Sequence, residues 1–192
     1  MNDPRRLSLG FTLIELMVTI GILVILATVA VPSYRSFVLN QQLSSMSGEF
    51  FVSLMQARSE AVRLGKPVVV APIDGASWTS GWRVFVDNDG TGTFSSAQDT
   101  LVNNSGEFSA VVSIASGSLT TGPFSSSTPF FAYAPSGFPK FYTALYKGGL
   151  TNGRLGFTVA ETARSKVIVV SNSGRAWVCD SKTDPTQCAS SN

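Results

Sequence analysis

The segment from Phe11 to Pro32 constrains this chain more than any other feature of its sequence. It reads FTLIELMVTIGILVILATVAVP and carries a single charged residue, Glu15. At about 1.5 Å per residue, a helix over this segment is roughly 33 Å long, enough to cross a hydrocarbon core of about 30 Å. The segment therefore predicts a membrane-spanning helix, and the arginines that precede it, Arg5 and Arg6, predict a cytoplasmic N-terminus.

Two simpler interpretations of this segment are a secretory signal peptide and a plain membrane anchor. A signal peptide has a shorter apolar region, of about 7–15 residues, followed by a cleavage site of small residues. No such site follows at Val31-Pro32-Ser33. A plain anchor leaves Glu15 unexplained, because a carboxylate inside a membrane is costly unless it is paired. We therefore expect Glu15 to have a partner.

Composition narrows the classes of function. The 192 residues include no histidine and two cysteines, and the formal net charge is +2. Without histidine, the chain cannot build a Ser-His-Asp triad or a histidine-ligated metal site. Two cysteines are too few for a multi-cysteine zinc or iron–sulfur site, and the small net charge does not mark a nucleic-acid binder. We predict that the protein is not an enzyme and uses no cofactor or metal.

A second helical pattern follows the apolar segment. Apolar residues recur at a mean spacing of about 3.6, which is typical of one face of an α-helix, and Gly65-Lys66-Pro67 predicts its end. We expect one helix from Phe11 to about Leu64, with bends at Gly21 and Pro32. The residues of the predicted face are Leu39, Leu43, Met46, Phe50, Leu54, Ala57, Ala61 and Leu64.

After Pro67 the sequence changes to short segments of β-branched and aromatic residues, separated by Gly, Ser, Asn and Pro. A long helix followed by many strands predicts an α+β fold, in which the amphipathic part of the helix packs on a C-terminal antiparallel sheet or sandwich. Residues 116–128 predict a surface loop. The predicted strands are Val68–Ile73, Trp82–Asp87, Thr100–Asn103, Ser109–Ala115, Pro129–Ala134, Gly153–Ala160, Lys166–Ser171 and Arg175–Cys179.

The start of the apolar segment matches a known motif. Gly10-Phe11-Thr12-Leu13-Ile14-Glu15, followed by an apolar helix, is similar to the cleavage motif of type IV prepilins and type II secretion pseudopilins. This resemblance implies that a prepilin peptidase cuts between Gly10 and Phe11 and methylates the new N-terminal Phe11. It also implies that Glu15 pairs with the N-terminal ammonium of a neighbouring subunit during assembly.

Two further segments narrow the resemblance. Leu54–Val68 and Trp78–Asp87 look like the GspH/FimT branch of the family, the latter through a W-x-x-G-W-x-V/I-F-x-D pattern. The resemblance implies four regions: a leader peptide at 1–10, a transmembrane assembly helix at 11–34, an amphipathic helix at 35–66, and a β-rich head at 67–192.

The function that this resemblance implies is assembly. The chain is expected to be a FimT/FimU-like minor type IV pilin, placed in the pilus tip or initiation complex. The alternative is a minor pseudopilin of type II secretion, which shares the architecture. Either subunit would lie in the bacterial inner membrane, with its head in the periplasm, before it enters a pilus or pseudopilus. The implied partners are prepilin peptidase, other major and minor pilins or pseudopilins, the inner-membrane assembly platform and the lipid bilayer.

The acidic segment from Asp87 to Gly92, DNDGTG, has two interpretations. It resembles part of a calcium-binding loop, but the EF-hand pattern also needs a bidentate acid at its twelfth position, where this chain has Gln98. The other interpretation is a hairpin turn, for which Asn-Asp-Gly is suited. We predict the turn.

The two cysteines, Cys179 and Cys188, lie nine positions apart in the region expected outside the cytoplasm. An oxidising compartment favours a disulfide, and the absence of C-x-x-C spacing argues against a reactive pair. We predict that the disulfide holds the loop between them against the last strand.

Charge is sorted along the chain, which leaves DNA uptake as a further alternative. Basic residues outnumber acidic ones toward the C-terminus, and basic side chains bind phosphates. Some FimT-like minor pilins are DNA receptors with a G-R-x-R motif, and here the matching positions read Gly174-Arg175-Ala176-Trp177. Trp177 thus replaces the second arginine. The candidate DNA-binding residues are Arg164, Lys166 and Arg175.

Overall fold

The long helix α1 dominates the first part of the chain. The computed structural model describes residues 10–106, 109, 111–115, 120–125, 130–140 and 149–189. Within these, α1 runs from Leu13 to Leu64 and continues through Pro32. The chain divides into two compact units between Val38 and Leu39. In the first unit, the large apolar side chains of α1 are exposed, and this helix is long and apolar enough to cross a membrane.

In the second unit, one face of α1 is buried, as its spacing predicts. Six of the eight predicted residues are buried, whereas Met46 is half-buried and Leu64 is exposed at the helix end. Two serines on this face are buried as well. Ser53 accepts a hydrogen bond from the Trp82 indole nitrogen at 2.8 Å, and Ser47 donates to the Ser44 carbonyl. The six buried apolar residues are Leu39, Leu43, Phe50, Leu54, Ala57 and Ala61.

Within the described residues, the strands form two antiparallel sheets, in the orders β3-β2-β1-β5-β6 and β4-β7-β8-β9. The predicted α+β class and antiparallel pairing are therefore confirmed. Strand β5 lies within the predicted segment Pro129–Ala134, whereas β6 and the short helix α2 have no predicted counterpart, since each spans only a few residues. The bounds are β1 Val68–Pro72, β2 Trp82–Val86, β3 Thr100–Asn104, β4 Ser113–Ile114, β5 Phe131–Tyr133, β6 Pro139–Lys140, β7 Gly153–Val159, β8 Arg164–Val170, β9 Ala176–Asp180 and α2 Pro185–Ala189.

The main core is an aromatic cluster centred on Phe50 of α1. The Phe50 ring meets Trp82 edge-on at a centroid distance of 5.0 Å and Trp78 at 5.4 Å. It also contacts Phe157 of the second sheet at 5.8 Å. The Trp78 indole N–H donates a hydrogen bond to the Phe124 carbonyl at 3.0 Å. One helical side chain therefore packs against both sheets, which fixes the helix between 39 and 64 on the head.

Each sheet also has a smaller apolar cluster outside this core. Phe85 of β2 packs with Phe94 from the loop that follows β2, at 5.3 Å. On the second sheet, the disulfide cysteines pack with Val167 and Val169 of β8. Successive side chains of a strand point to opposite faces of the sheet. Connecting segments thus cover those that point away from the main core.

Strand β3 is an outer strand of its sheet, and its pairing with β2 contains an irregularity. The register shifts between Val84 and Phe85, so that Val84 pairs with Asn103 and Phe85 with Leu101. The Asn104 N–H donates to the Asn103 side-chain oxygen at 2.8 Å, and the Asn103 amide donates to Gln56 of α1 at 3.1 Å. One backbone donor of this outer strand is therefore satisfied by a side chain.

Candidate processing and assembly site

The predicted cleavage bond lies just before α1. Gly10 and Phe11 are exposed and precede the first helical residue, Leu13. Thr12 caps the helix, because its hydroxyl accepts a hydrogen bond from the Glu15 N–H at 3.2 Å and its carbonyl accepts from the Leu16 N–H at 3.1 Å. A Cβ at Gly10 would meet no atom within 4 Å. The structure thus leaves the Gly10–Phe11 bond outside the helix and accessible.

Thr12 is a residue whose role as a helix cap the sequence reasoning missed. Its signal was present in the sequence, because Thr12 and Glu15 have the T-x-x-E spacing of a capping box. The residues that resemble a cleavage motif therefore also mark the start of the helix.

Glu15 lies in the first turn of α1. An acid in this position is favoured by the positive end of the helix dipole. Within the described residues, its carboxylate has no ion-pair partner, and the side chain is exposed. The predicted intermolecular ammonium partner is compatible with this position and stays a prediction.

The disulfide predicted between Cys179 and Cys188 is present. It joins the end of β9 to α2, and both cysteines are buried against β8. Arg154 of β7 fixes the same segment, because its guanidinium donates to the carbonyls of Cys188 and Ala189, each at 3.0 Å. A guanidinium at the C-terminal end of a helix satisfies carbonyls that have no partner within the helix. The C-terminal loop is therefore held by a covalent bond and by a charged side chain.

The acidic segment after β2 forms a longer loop than the predicted tight hairpin turn. Strands β2 and β3 do pair antiparallel, but residues 87–99 separate them. Asp87 is buried, and its two oxygens accept from the N–H groups of Gly90 and Gly92, each at 2.7 Å. Asp99 likewise accepts from Asn88 and from Ser95. Carboxylate oxygens of Asp87, Asp89 and Asp99 lie within 4.8 Å of one another, and these backbone donors account for the loop's shape.

The three candidate DNA-binding residues do not form one cluster. Arg164 begins β8 and lies 3.6 Å from Asp180, and Lys166 pairs in register with the same Asp180. Arg175 lies beyond the other end of β8, where its carbonyl accepts from Ser171, and its guanidinium stacks on Trp177 at 5.8 Å. At about 3.4 Å per residue, Lys166 and Ser171 are roughly 17 Å apart. DNA binding by these residues stays a prediction.

The turn before Arg175 is fixed to α1 by an arginine. Arg58 donates to the Gly174 carbonyl at 3.0 Å and to the Ser173 carbonyl at 3.2 Å. The buried Tyr133 hydroxyl donates to the same Gly174 carbonyl at 3.4 Å. Gly174 has φ +80°, and a Cβ there would clash with the carbonyl oxygen of Gly137. Burial raises the pKa of Tyr133 well above its ordinary value, and the Arg58 charge opposes this only in part.

Two known protein families match this chain, each over a different region. The family described as Type II transport protein GspH matches residues 47–174, which is more than half of the chain. The family described as Prokaryotic N-terminal methylation motif matches residues 5–31.

Curated relatives match a short part of the chain. Type IV major fimbrial protein FimA of Dichelobacter nodosus is 42% identical over 45 residues, which is 23% of this chain and 29% of the relative. Type IV major alpha-pilin of Moraxella bovis is 50% identical over 40 residues, which is 21% of this chain and 25% of the relative. The chain therefore spans less than a third of the length of these relatives.

Solved structures match most of the chain. The type IV minor pilin FimU of Pseudomonas aeruginosa, in one crystal form, has a TM-score of 0.56 at 17% identity, and the match covers 77% of this chain and 95% of that chain. In a second crystal form the TM-score is 0.52, and the match covers 73% and 95%. At this identity the likeness shows that the two chains share a fold.

Proposed function

Because the chain belongs to the GspH family, we propose that it is a minor type IV pilin that is cut after Gly10, methylated on Phe11 and assembled into a pilus. The observation that carries this proposal is the N-terminal methylation motif at residues 5–31, which overlaps the part of α1 whose apolar side chains are exposed. Exposed apolar surface of this extent needs lipid or the helices of other subunits to cover it. The FimU fold of the head supports the same proposal.

In this function, the leader at 1–10 is present until the peptidase removes it. The helix at 11–34 anchors the subunit in the inner membrane, with the head in the periplasm. Prepilin peptidase and the inner-membrane assembly platform are the expected partners, together with other pilins. Glu15 then pairs with the ammonium of a neighbouring Phe11, since pairing removes the cost of an isolated charge in an apolar surrounding. We place the subunit at the pilus tip or in the initiation complex.

Intact-mass analysis tests the processing step. The chain is co-expressed with a prepilin peptidase, and the product should lose residues 1–10 and gain one methyl group. Gly10→Val should remain uncut, because a β-branched side chain fills the space next to the scissile carbonyl while it meets nothing in the folded chain. Gly21→Val is the matched control, because a Cβ at Gly21 also meets nothing, and it should be processed normally. Equal processing of both variants would contradict the proposal.

Sheared filaments test the assembly step. Glu15→Gln keeps the shape of the side chain and removes its charge, so we expect this variant to be processed and methylated yet missing from the sheared fraction. Glu49→Gln, a change of the same kind later in α1, is the control and should assemble. Recovery of Glu15→Gln in filaments at the level of the unaltered chain would remove the proposed role of Glu15.

The alternative function is a minor pseudopilin of type II secretion, which the description of the matching family favours. Deletion of the gene in its own bacterium separates the two. Loss of surface pili with normal secretion of exported proteins supports the pilin, and the reverse result supports the pseudopilin. The genes that flank this one offer a faster indication, since minor pilin genes accompany the first and secretin genes the second.

A further inference from the structure

A single cation marks the place where α1 changes from apolar to polar. Between Glu15 and Glu49, Arg35 is the sole charged residue of the sequence. It is flanked by two aromatic residues, Tyr34 and Phe37. The apolar segment ends just before them at Pro32, and the helix beyond carries uncharged polar residues such as Asn40. The sequence thus places aromatic rings and one guanidinium at the boundary between the two kinds of surface.

The spacing along α1 relates this boundary to the thickness of a membrane. The helix is continuous from Leu13 to Leu64, so Glu15 and Tyr34 are about 28 Å apart along its axis at about 1.5 Å per residue. This is close to the hydrocarbon thickness of about 30 Å. Tyr34 and Phe37 are one turn apart on neighbouring positions of one helix face, and their side chains are 70% and 60% exposed. Both rings are therefore exposed within about one helical turn of this boundary.

From this arrangement we infer that Tyr34, Arg35 and Phe37 form an anchor for anionic phospholipid headgroups at the outer face of the membrane. Tyrosine lies at the headgroup level because its ring is apolar and its hydroxyl is polar. The arginine stem lies along the acyl chains while the guanidinium binds lipid phosphate. The inference rests on the proposed membrane insertion and adds to it a depth and a lipid class. The anchor sets how far α1 is inserted before the subunit is extracted for assembly.

Depth-dependent quenching tests this anchor in the full chain. The chain is reconstituted in vesicles of phosphatidylcholine with phosphatidylglycerol, with lipids brominated at different acyl positions. Tyr34→Trp supplies the probe and keeps an interfacial side chain, and its signal is read as the difference from the parent chain. We expect the strongest quenching from bromines nearest the headgroups. In the same background, Arg35→Gln should move the maximum by about one helical turn, roughly 5 Å, whereas Arg35→Lys should leave it in place.

Two further measurements make the outcome decisive. Vesicles of phosphatidylcholine alone should reproduce the shift that Arg35→Gln causes, because the anionic headgroup is then missing. An unchanged depth in both cases overturns the anchor. Val24→Trp, in the middle of the segment, should be quenched most by the deepest bromines. If Val24→Trp is not quenched at all, the segment is not inserted, and the proposed function fails together with the anchor.

Discussion

The link between Arg58 and the turn at 173–174 leads to a quantitative prediction. Arg58→Met keeps an unbranched side chain on α1 and removes two charge-assisted hydrogen bonds, to the carbonyls of Gly174 and Ser173. A hydrogen bond to a charged group contributes about 1.5–3 kcal/mol, and two bonds from one group do not add fully. We therefore expect a loss of about 2–3 kcal/mol. For a unit of this size, that loss lowers the melting temperature by roughly 4–12 °C.

The assay is thermal unfolding of residues 36–192, which include the whole second unit, followed by tryptophan fluorescence. The matched control is Arg63→Met on the same helix, because the Arg63 side chain is 66% exposed and its ion pair among the described residues is with Glu60. This control should leave the melting temperature unchanged, because exposed pairs contribute little. If Arg58→Met costs no more than Arg63→Met, the turn is held by other contacts and the reasoning is refuted.

A pair of glycine variants tests the same junction from the other side. Gly174 and Gly75 have similar φ values, +80° and +74°, so alanine strains the backbone at both. Only at Gly174 does the new Cβ clash with a neighbouring carbonyl. The free energy of unfolding should therefore fall further in Gly174→Ala than in Gly75→Ala, and equal losses would show that the turn can move away from the Gly137 carbonyl.

Three other changes give independent checks. Because burial raises the pKa of Tyr133 above its ordinary value near 10, the unfolded chain ionises first, and stability should fall as pH rises above about 10; Tyr133→Phe should flatten this part of a pH-dependent unfolding curve. Ser53→Ala removes the hydroxyl that accepts from the Trp82 indole N–H, which should cost about 1–3 kcal/mol in urea unfolding, and far less when Trp82→Phe is also present. Replacing both Cys179 and Cys188 with serine should lower the unfolding free energy by about 2–3 kcal/mol. Arg154 should still hold α2 in place, so limited proteolysis should leave α2 uncut. Rapid cleavage at α2 would show that the disulfide alone holds this helix.

Much of the fold could be predicted because its signals are local. Apolar residues from Leu39 to Ala61 recur with helical spacing, and those predicted for the face are buried apart from Met46, which is half-buried. Strand β2 begins at Trp82 as its β-branched and aromatic pattern predicts. The matches to the GspH family and to the methylation motif confirm the resemblance, since motifs of this kind depend on sequence spacing alone.

The rest depends on contacts that sequence spacing does not reveal. Strand β1 pairs with β5 across more than sixty positions, and no local pattern specifies this partner. A serine such as Ser53 is expected at the surface, but here it is buried because its hydroxyl accepts a hydrogen bond from the Trp82 indole N–H. An arginine such as Arg58 is expected to be solvated, but its guanidinium donates to the carbonyls of Ser173 and Gly174, which are 115 and 116 positions away. The candidate DNA-binding residues do not cluster, because Arg164 and Lys166 lie at one end of β8 and Arg175 lies beyond the other end. Closeness in the sequence therefore does not bring them together in space.

The outer strand β3 has a consequence for subunits that wait at high density. In the proposed membrane state, copies diffuse in two dimensions with their heads at the same height, so outer strands meet far more often than they would in bulk solution. A regular outer strand is a template for further strands. In β3 the register shift and the Asn104 N–H already bonded to Asn103 interrupt that template. Strand addition between stored heads at β3 is therefore disfavoured, which keeps these subunits available for growth through their helices.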